Sequence, residues 1–211
     1  LDLEKSNIKI GRQTINLNFA RSYAIRHKTQ AFEAAVLEVG DIEDWKFYLG
    51  HLEEFSSWSS RTNLESGSFS SQFLDISDVV GVSYDTNGMQ FIEIINKRIP
   101  NTTVNFYYYH GEDLFNTTGA KISHIMDKMS LNFHYAAQKD DGRYETDGGG
   151  EVDSKVWEAA VGYKDGGLSI LSGVMHVAGD EAKEDFKVPF RTSFTIDPQL
   201  MWYTSQFNAG S

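Results

Sequence analysis

Between Met129 and Gln138 the chain alternates without a break: Met129, Leu131, Phe133, Tyr135 and Ala137 interleave with Ser130, Asn132, His134, Ala136 and Gln138. A period of two places successive side chains on opposite faces of a β-strand. The same period recurs over Asn7 to Gln13, Phe32 to Val39, Trp45 to Phe55, Val79 to Tyr84, Phe91 to Lys97, Thr103 to His110, Ala120 to Met126, Val152 to Lys164 and Leu168 to Ala178. A 3.6-residue period is almost nowhere convincing, so the chain is expected to be all-β, with roughly ten strands.

Two kinds of connection separate these segments. Short ones fall at Gly40 to Asp44, Asn87-Gly88, Pro100 to Thr102, Asp127-Lys128 and Asp165-Gly166-Gly167, where Gly, Asn and Asp tolerate the positive φ of tight hairpins. Long polar ones fall at Thr14 to Ala31, Ser56 to Asp78, Lys139 to Glu151 and from Gly179 onward. That mixture describes a meander with one trimmed and one elaborated end. Two consecutive short connections, at Asn87-Gly88 and Pro100 to Thr102, break strict alternation, so Val79 to Tyr84 is expected to be a hairpin strand projecting from a long loop. Nothing divides residues 1–211 into more than one domain.

Alternation leaves the solvent on the apolar face open. In a β-sandwich two apolar faces meet each other; in a membrane barrel the apolar face meets lipid and the polar face a wet lumen. Aromatic residues crowd particular levels: Trp45 and Phe47 after one turn, Tyr107 to Tyr109 before Gly111, Trp157 and Tyr163 at opposite ends of one segment. Such girdles suit a membrane interface, where a ring and a polar tip are both satisfied. The intervening positions include Lys46, Tyr48, Asn132, His134, Gln138, Glu158 and Lys164, which suits a wet inner face. A soluble sandwich or jelly roll accommodates the same pattern.

Composition narrows the classes further. The net charge is −11, aromatic residues make up 13% and there are three prolines, which argues against disorder and against nucleic acid as a partner. Cysteine is absent, removing disulfides, thiolate metal clusters and cysteine nucleophiles. Apolar runs such as Ala34 to Leu37 fall far short of the ~18 residues of a membrane-spanning helix. The first residues carry no charged-then-apolar leader pattern, which leaves export undecided.

No catalytic, metal or cofactor site is expected. The six histidines form no HExxH arrangement, and His124 and His134 lie in separate predicted strands. There is no G-x-S-x-G elbow and no phosphate-binding loop. Asp140, Asp141, Glu145, Asp147, Glu151 and Asp153 supply oxygen donors that could hold Ca2+, but without EF-hand spacing they read as a solvated loop.

The order of local patterns resembles the OprD family of outer-membrane porins. "IKIGRQTINL" followed by "RSYAIRHKTQAFEAAVLEV" is similar to the family's strand ending in Gly-Arg-Gln and a loop that returns to the next strand. "VNFYYYHGEDLFNTTGAKISHIMDKMSLNFHYAAQKDDGRYETDGGGEVDSKVWEAAVGYKDGGLSILSGVMHVAGD" is similar to its run of strand, acidic loop, hairpin, Asp-Gly loop and aromatic strand. Lys28 stands where the family often has Pro, and the ending Asn208-Ala209-Gly210-Ser211 is not an aromatic-ended last strand. The resemblance thus implies an incomplete antiparallel up-and-down transmembrane β-barrel, an internal fragment of a longer porin of the bacterial outer membrane.

It also implies passive diffusion of small polar or anionic solutes, with outer-membrane lipid as the other partner. The loop 14–31 would fold inward as a constriction, with Arg12, Arg21, Tyr23, Arg26, His27 and Lys28 as its candidates; solvated loop charges are the plainer reading of each. Arg12 shares the parity of Ile8 and Ile10, which points it outward unless the strand has ended. Candidate pore-lining residues are Lys9, Glu33, Lys46, Tyr48, Asn132, His134, Gln138, Glu158 and Lys164. Lys9, Lys46 and Lys164 would form a basic track opposed by Glu33, Glu54 and Glu158. Charges of this kind in a narrow, low-dielectric passage concentrate counter-ions and repel co-ions. The alternative is a secreted β-sandwich or jelly-roll module that binds carbohydrate through its aromatics.

Overall fold

The structure is a computed structural model that describes residues 4–22, 24–25, 28–56, 73–148, 150–179, 186–187 and 206–207. In chain order the strands are β1 (Asn7–Gln13), β2 (Ala24–Ile25), β3 (Lys28–Thr29), β4 (Ala31–Val39), β5 (Trp45–Ser56), β6 (Leu74–Asp75), β7 (Met89–Asn96), β8 (Thr102–Gly111), β9 (Phe115–Met126), β10 (Met129–Asp140), β11 (Asp153–Asp165), β12 (Leu168–Gly179), β13 (Phe186–Lys187) and β14 (Gln206–Phe207). Helix α1 (Ile76–Val80) follows β6, and a π-helical turn occupies Tyr144–Gly148.

The long strands form one antiparallel meander in the order β1-β4-β5-β7-β8-β9-β10-β11-β12, with β6 paired on the side to β5. Among the described residues β1 and β12 do not pair with each other, so the sheet is unclosed. It is one curved wall rather than two stacked sheets, which sets the sandwich and jelly-roll alternative aside.

At the trimmed end each turn contains one residue in the left-handed region: Asp44 (φ 62°), Asn101 (φ 59°), Asp127 (φ 49°) and Gly166 (φ 56°). Asp and Asn reach that region because a short polar side chain bonds locally, and Gly because it has no Cβ. Beside the first of these turns, the Ser6 hydroxyl and the Lys5 N–H both donate to Asp41 and hold its carboxyl below the usual carboxylate range.

Val79 to Tyr84 is not a strand, contrary to the expectation from its alternation. Ile76–Val80 is helical, and Gly81 (φ 89°) ends the helix with its N–H donating to Ser77 O at 2.8 Å. Ile76, Val79 and Val80 stand at i, i+3 and i+4, and all three join the apolar cluster, so a short helix buries what a strand would have split between two faces. Without that segment successive connections fall at opposite ends of the wall, as a meander requires. At the elaborated end, Leu114 N–H donates to Gly111 O at 3.0 Å and Asp113 takes φ 57°, which makes a tight turn and starts β9 at Phe115.

The two faces of the wall differ. One carries Ile8, Ile10, Leu37, Leu49, Phe106, Ile122, Leu131, Phe133, Val161 and Val174, all exposed, Ile10 at 78% and Phe133 at 45%. An apolar band this broad is not a soluble surface; it matches the lipid-facing belt of a transmembrane barrel. Tyr135 and its cross-strand partner Trp157 mark its upper level, and Trp45 stacked on Phe47 (5.9 Å, 11°) with Tyr163 marks the lower. Of the expected girdle residues Tyr107 to Tyr109, only Tyr108 faces outward. Tyr107 and Tyr109 belong to the other face, where Phe32, Ala34, Leu52, Phe91, Ala136 and Val156 are also buried.

Candidate functional site

Residues 15–22 fold back onto that second face. Leu17 N–H donates to Ala20 O at 3.0 Å, Ser22 N–H to Ile15 O at 2.7 Å, and Asn16 bridges Arg21, closing a miniature hairpin. Ile15, Leu17, Phe19 and Ala20 are buried in the cluster formed by the wall. The hydrophobic effect therefore draws this otherwise polar loop inward rather than into solvent. Phe19 lies 5.2 Å from the Tyr109 ring, which stacks in turn on Phe91 at 5.3 Å and 20°.

A polar clamp fixes the hairpin's position. Asn18 donates through its backbone N–H to Glu93 Oε1 at 2.7 Å and through Nδ2 to Glu93 Oε2 at 2.9 Å; Tyr109 OH donates to Oε1 at 2.5 Å. Glu93 is fully buried. A carboxylate in such a place needs charge-assisted donors, and these are short.

Alongside the hairpin, register aligns Asn105, Lys121, His134 and Glu158 in one row across β8, β9, β10 and β11. Lys121 is within electrostatic reach of Glu158 and of Arg21 on the hairpin. Tyr107 OH and His134 Nε2 are hydrogen-bonded at 2.8 Å, Gln138 Nε2 donates to Thr117 Oγ1 at 2.9 Å, and Ser123 Oγ donates to Asn132 Oδ1 at 2.8 Å. Toward the trimmed end, Glu38 accepts from Lys46 Nζ at 2.7 Å and from Tyr48 OH at 3.2 Å.

By register, Lys9, Lys46, Tyr48, Asn132, His134, Gln138, Glu158 and Lys164 share the hairpin's face. Arg12 and Glu33 do not, and their assignment to the lumen is corrected. β1 runs on through Gln13, so Arg12 keeps the outward parity of Ile8 and Ile10; it pairs with Glu33 at 3.2 Å and lies over the Phe73 ring at 4.5 Å. Arg21 is exposed on the hairpin. Tyr23, Arg26 and His27 lie outside the described residues, as does the side chain of Lys28 in β3.

Sequence reading missed Asn18, Glu93, Asn105 and Lys121. Glu93 was visible as the single charge in "MQFIEIIN", on the parity of Met89 and Phe91, and Lys121 as the single charge in "TGAKISHIM". The acidic loop after β10 is bonded to the neighbouring β8–β9 turn and to the strands beside it. Asp141 accepts from Asn116 Nδ2 at 2.9 Å, Asp113 from Arg143 N–H at 3.0 Å, and Asp140 from Val152 N–H at 2.9 Å. Among the described residues no group of three His, Cys, Asp or Glu side chains is placed to hold a metal.

A one-sheet wall with a lipid-type belt outside, polar groups inside and an inward-folded loop is the architecture of a porin barrel segment. The chain belongs to the OprD family of outer membrane porins, whose model matches residues 1–208. Among solved structures it resembles OccK2 (OpdF) of Pseudomonas aeruginosa in complex with glucuronate, with 16% identity and a TM-score of 0.68 over 84% of this chain and 46% of that one. OccK3 (OpdO) of the same organism gives 17% and 0.69 over 92% and 50%. OpdK with vanillate gives 18% and 0.67 over 83% and 45%. The chain thus spans about half the length of these porins. No curated protein matches it by sequence.

Proposed function

We propose that this chain supplies part of the wall and the narrow segment of an outer-membrane channel through which small polar or charged solutes diffuse, carboxylates foremost. The observation that carries this reading is the Ile15–Ser22 hairpin seated on the inner face, which brings Arg21 within electrostatic reach of Lys121. Two cations in a narrow passage walled by low-dielectric protein raise the local anion concentration, whatever the sign of the total charge. In this reading Arg26 and Lys28, later in the same stretch of sequence, add positive charge, Tyr23 and His27 add polar groups, and Lys9, Lys46 and Lys164 continue the basic segment along the wall.

Glucuronate and vanillate, which accompany two of the similar porins, are both carboxylates. The full-length protein in a planar bilayer provides the test. Under a salt gradient its reversal potential should indicate anion preference, and added glucuronate or vanillate should produce resolvable current blockades. A cation-selective pore that neither solute blocks would contradict the reading.

A further inference from the structure

We propose that Glu93 is a latch that holds the inward hairpin against the wall and so positions Arg21 in the passage. The inference rests on the channel reading for its consequence, but the latch itself rests on geometry. β7 carries one charged side chain, and its carboxylate is buried beneath the hairpin's tip. Both oxygens are engaged by Asn18: Oε1 by the backbone N–H at 2.7 Å and Oε2 by Nδ2 at 2.9 Å. Tyr109, on the inner face of β8 with Tyr107, donates to Oε1 at 2.5 Å and presents its ring to Phe19, so one wall side chain serves the polar and the apolar half of the anchor.

The hairpin's other polar ties to the wall converge on the same two residues, Glu93 and Tyr109. The backbone of Phe19 also bonds Glu93 and that of Ala20 bonds Tyr109, while within the hairpin Leu17 bonds Ala20 and Ser22 bonds Ile15. The clamp centred on Glu93, with Asn18 engaging both its oxygens, is therefore a directional contact that sets where the hairpin sits, while Ile15, Leu17 and Phe19 supply non-directional burial. Losing the clamp should leave the barrel wall intact and free the hairpin to leave the face. Glu93 is accordingly a positioning residue that acts through Asn18 on Arg21.

Charge exchange across the clamp tests this in the full-length protein. Ala20, fully buried at the hairpin, becomes a reporter as Ala20→Cys, since these 211 residues contain no cysteine. Asn18→Asp is isosteric and lies on the loop, so wall assembly is not at stake; it removes the Nδ2 donor and sets an acceptor oxygen against Glu93 Oε2. Labelling of the reporter by a water-soluble thiol reagent should accelerate by about tenfold or more, equivalent to ~1.4 kcal/mol. Adding Glu93→Gln restores a donor-acceptor pair and should return labelling to within about threefold of the parent. Unchanged labelling in Asn18→Asp, or a double variant as fast as the single, would overturn the latch. Reversal potential measured on the same proteins separates the two readings: fast labelling with unchanged selectivity would keep the latch and sink the constriction.

Discussion

The ring of Tyr107 lies across Gly119, its direct neighbour on the next strand. A Cβ on Gly119 would overlap that ring, and the Tyr107 hydroxyl reaches past it to His134 on the strand beyond at 2.8 Å. Three strands are thereby laced by one side chain, and the absence of a side chain at Gly119 is what permits it.

Gly119→Ala should therefore displace Tyr107, break its bond to His134 and disturb Tyr109, whose ring is 6.0 Å away. Overpacking of this kind costs about 1–3 kcal/mol. Denaturant unfolding of the full-length protein in detergent should locate the loss, and Tyr107→Leu in the Gly119→Ala background should recover part of it. If the single substitution left the midpoint unchanged, Tyr107 would not be held as described.

Phe133 and Asn132 are adjacent and face different solvents: Phe133 is paired with Ile122 and Ala159 on the belt, Asn132 with Ser123 and Ala160 on the inner face. Phe133→Arg should impair membrane insertion by roughly 2–4 kcal/mol near the midplane, and Asn132→Arg should be tolerated. Folding into lipid vesicles measures both. The opposite order would invert the facing of the whole wall.

Arg21→Gln and Lys121→Gln should each move the reversal potential of the full-length channel toward cations, and together by more than either alone. Because the Debye length is about 10 Å at 0.1 M salt, the shift should shrink as ionic strength rises. Equal reversal potentials for parent and double variant at low salt would place both cations away from the ion path.

β1 and β12 each lack a neighbour on one side among the described residues. Unpaired backbone groups in lipid cost several kcal/mol each, on the order of the stability of a whole domain when summed along a strand. These 211 residues refolded alone in detergent should give no discrete single-channel conductance. Reproducible channels from them would mean that the edges find partners, through a second copy or a different closure.

Facing along most of the wall was decided by sequence, because a strand has only two faces and the period of two assigns every residue once one is assigned. That Phe133 lies on the face opposite Asn132, His134 and Gln138 follows from that alone. So does the trimmed end, since Asp44, Asn101, Asp127 and Gly166 are residue types able to take positive φ.

Where the pattern was silent, only tertiary structure could decide. Phe106 to Tyr109 is aromatic throughout, so nothing local says that Tyr108 meets lipid while Tyr107 and Tyr109 do not; pairing with Glu93, Phe91 and Gly119 does. Val79 and Val80 satisfy a strand or a helical turn equally until Gly81 and the buried cluster choose the turn. Arg12 is drawn outward because β1 continues beside β4 through Gln13, an outcome of pairing rather than of its own charge. Asn18 and Glu93 are 75 positions apart and meet only because the wall between them curves through β4, β5 and β7 and the hairpin's apolar residues seek its inner face. Periodicity is local and reports which side of a strand a residue is on; which distant residue waits on that side is set by sheet order and register, which exist only once the chain has folded.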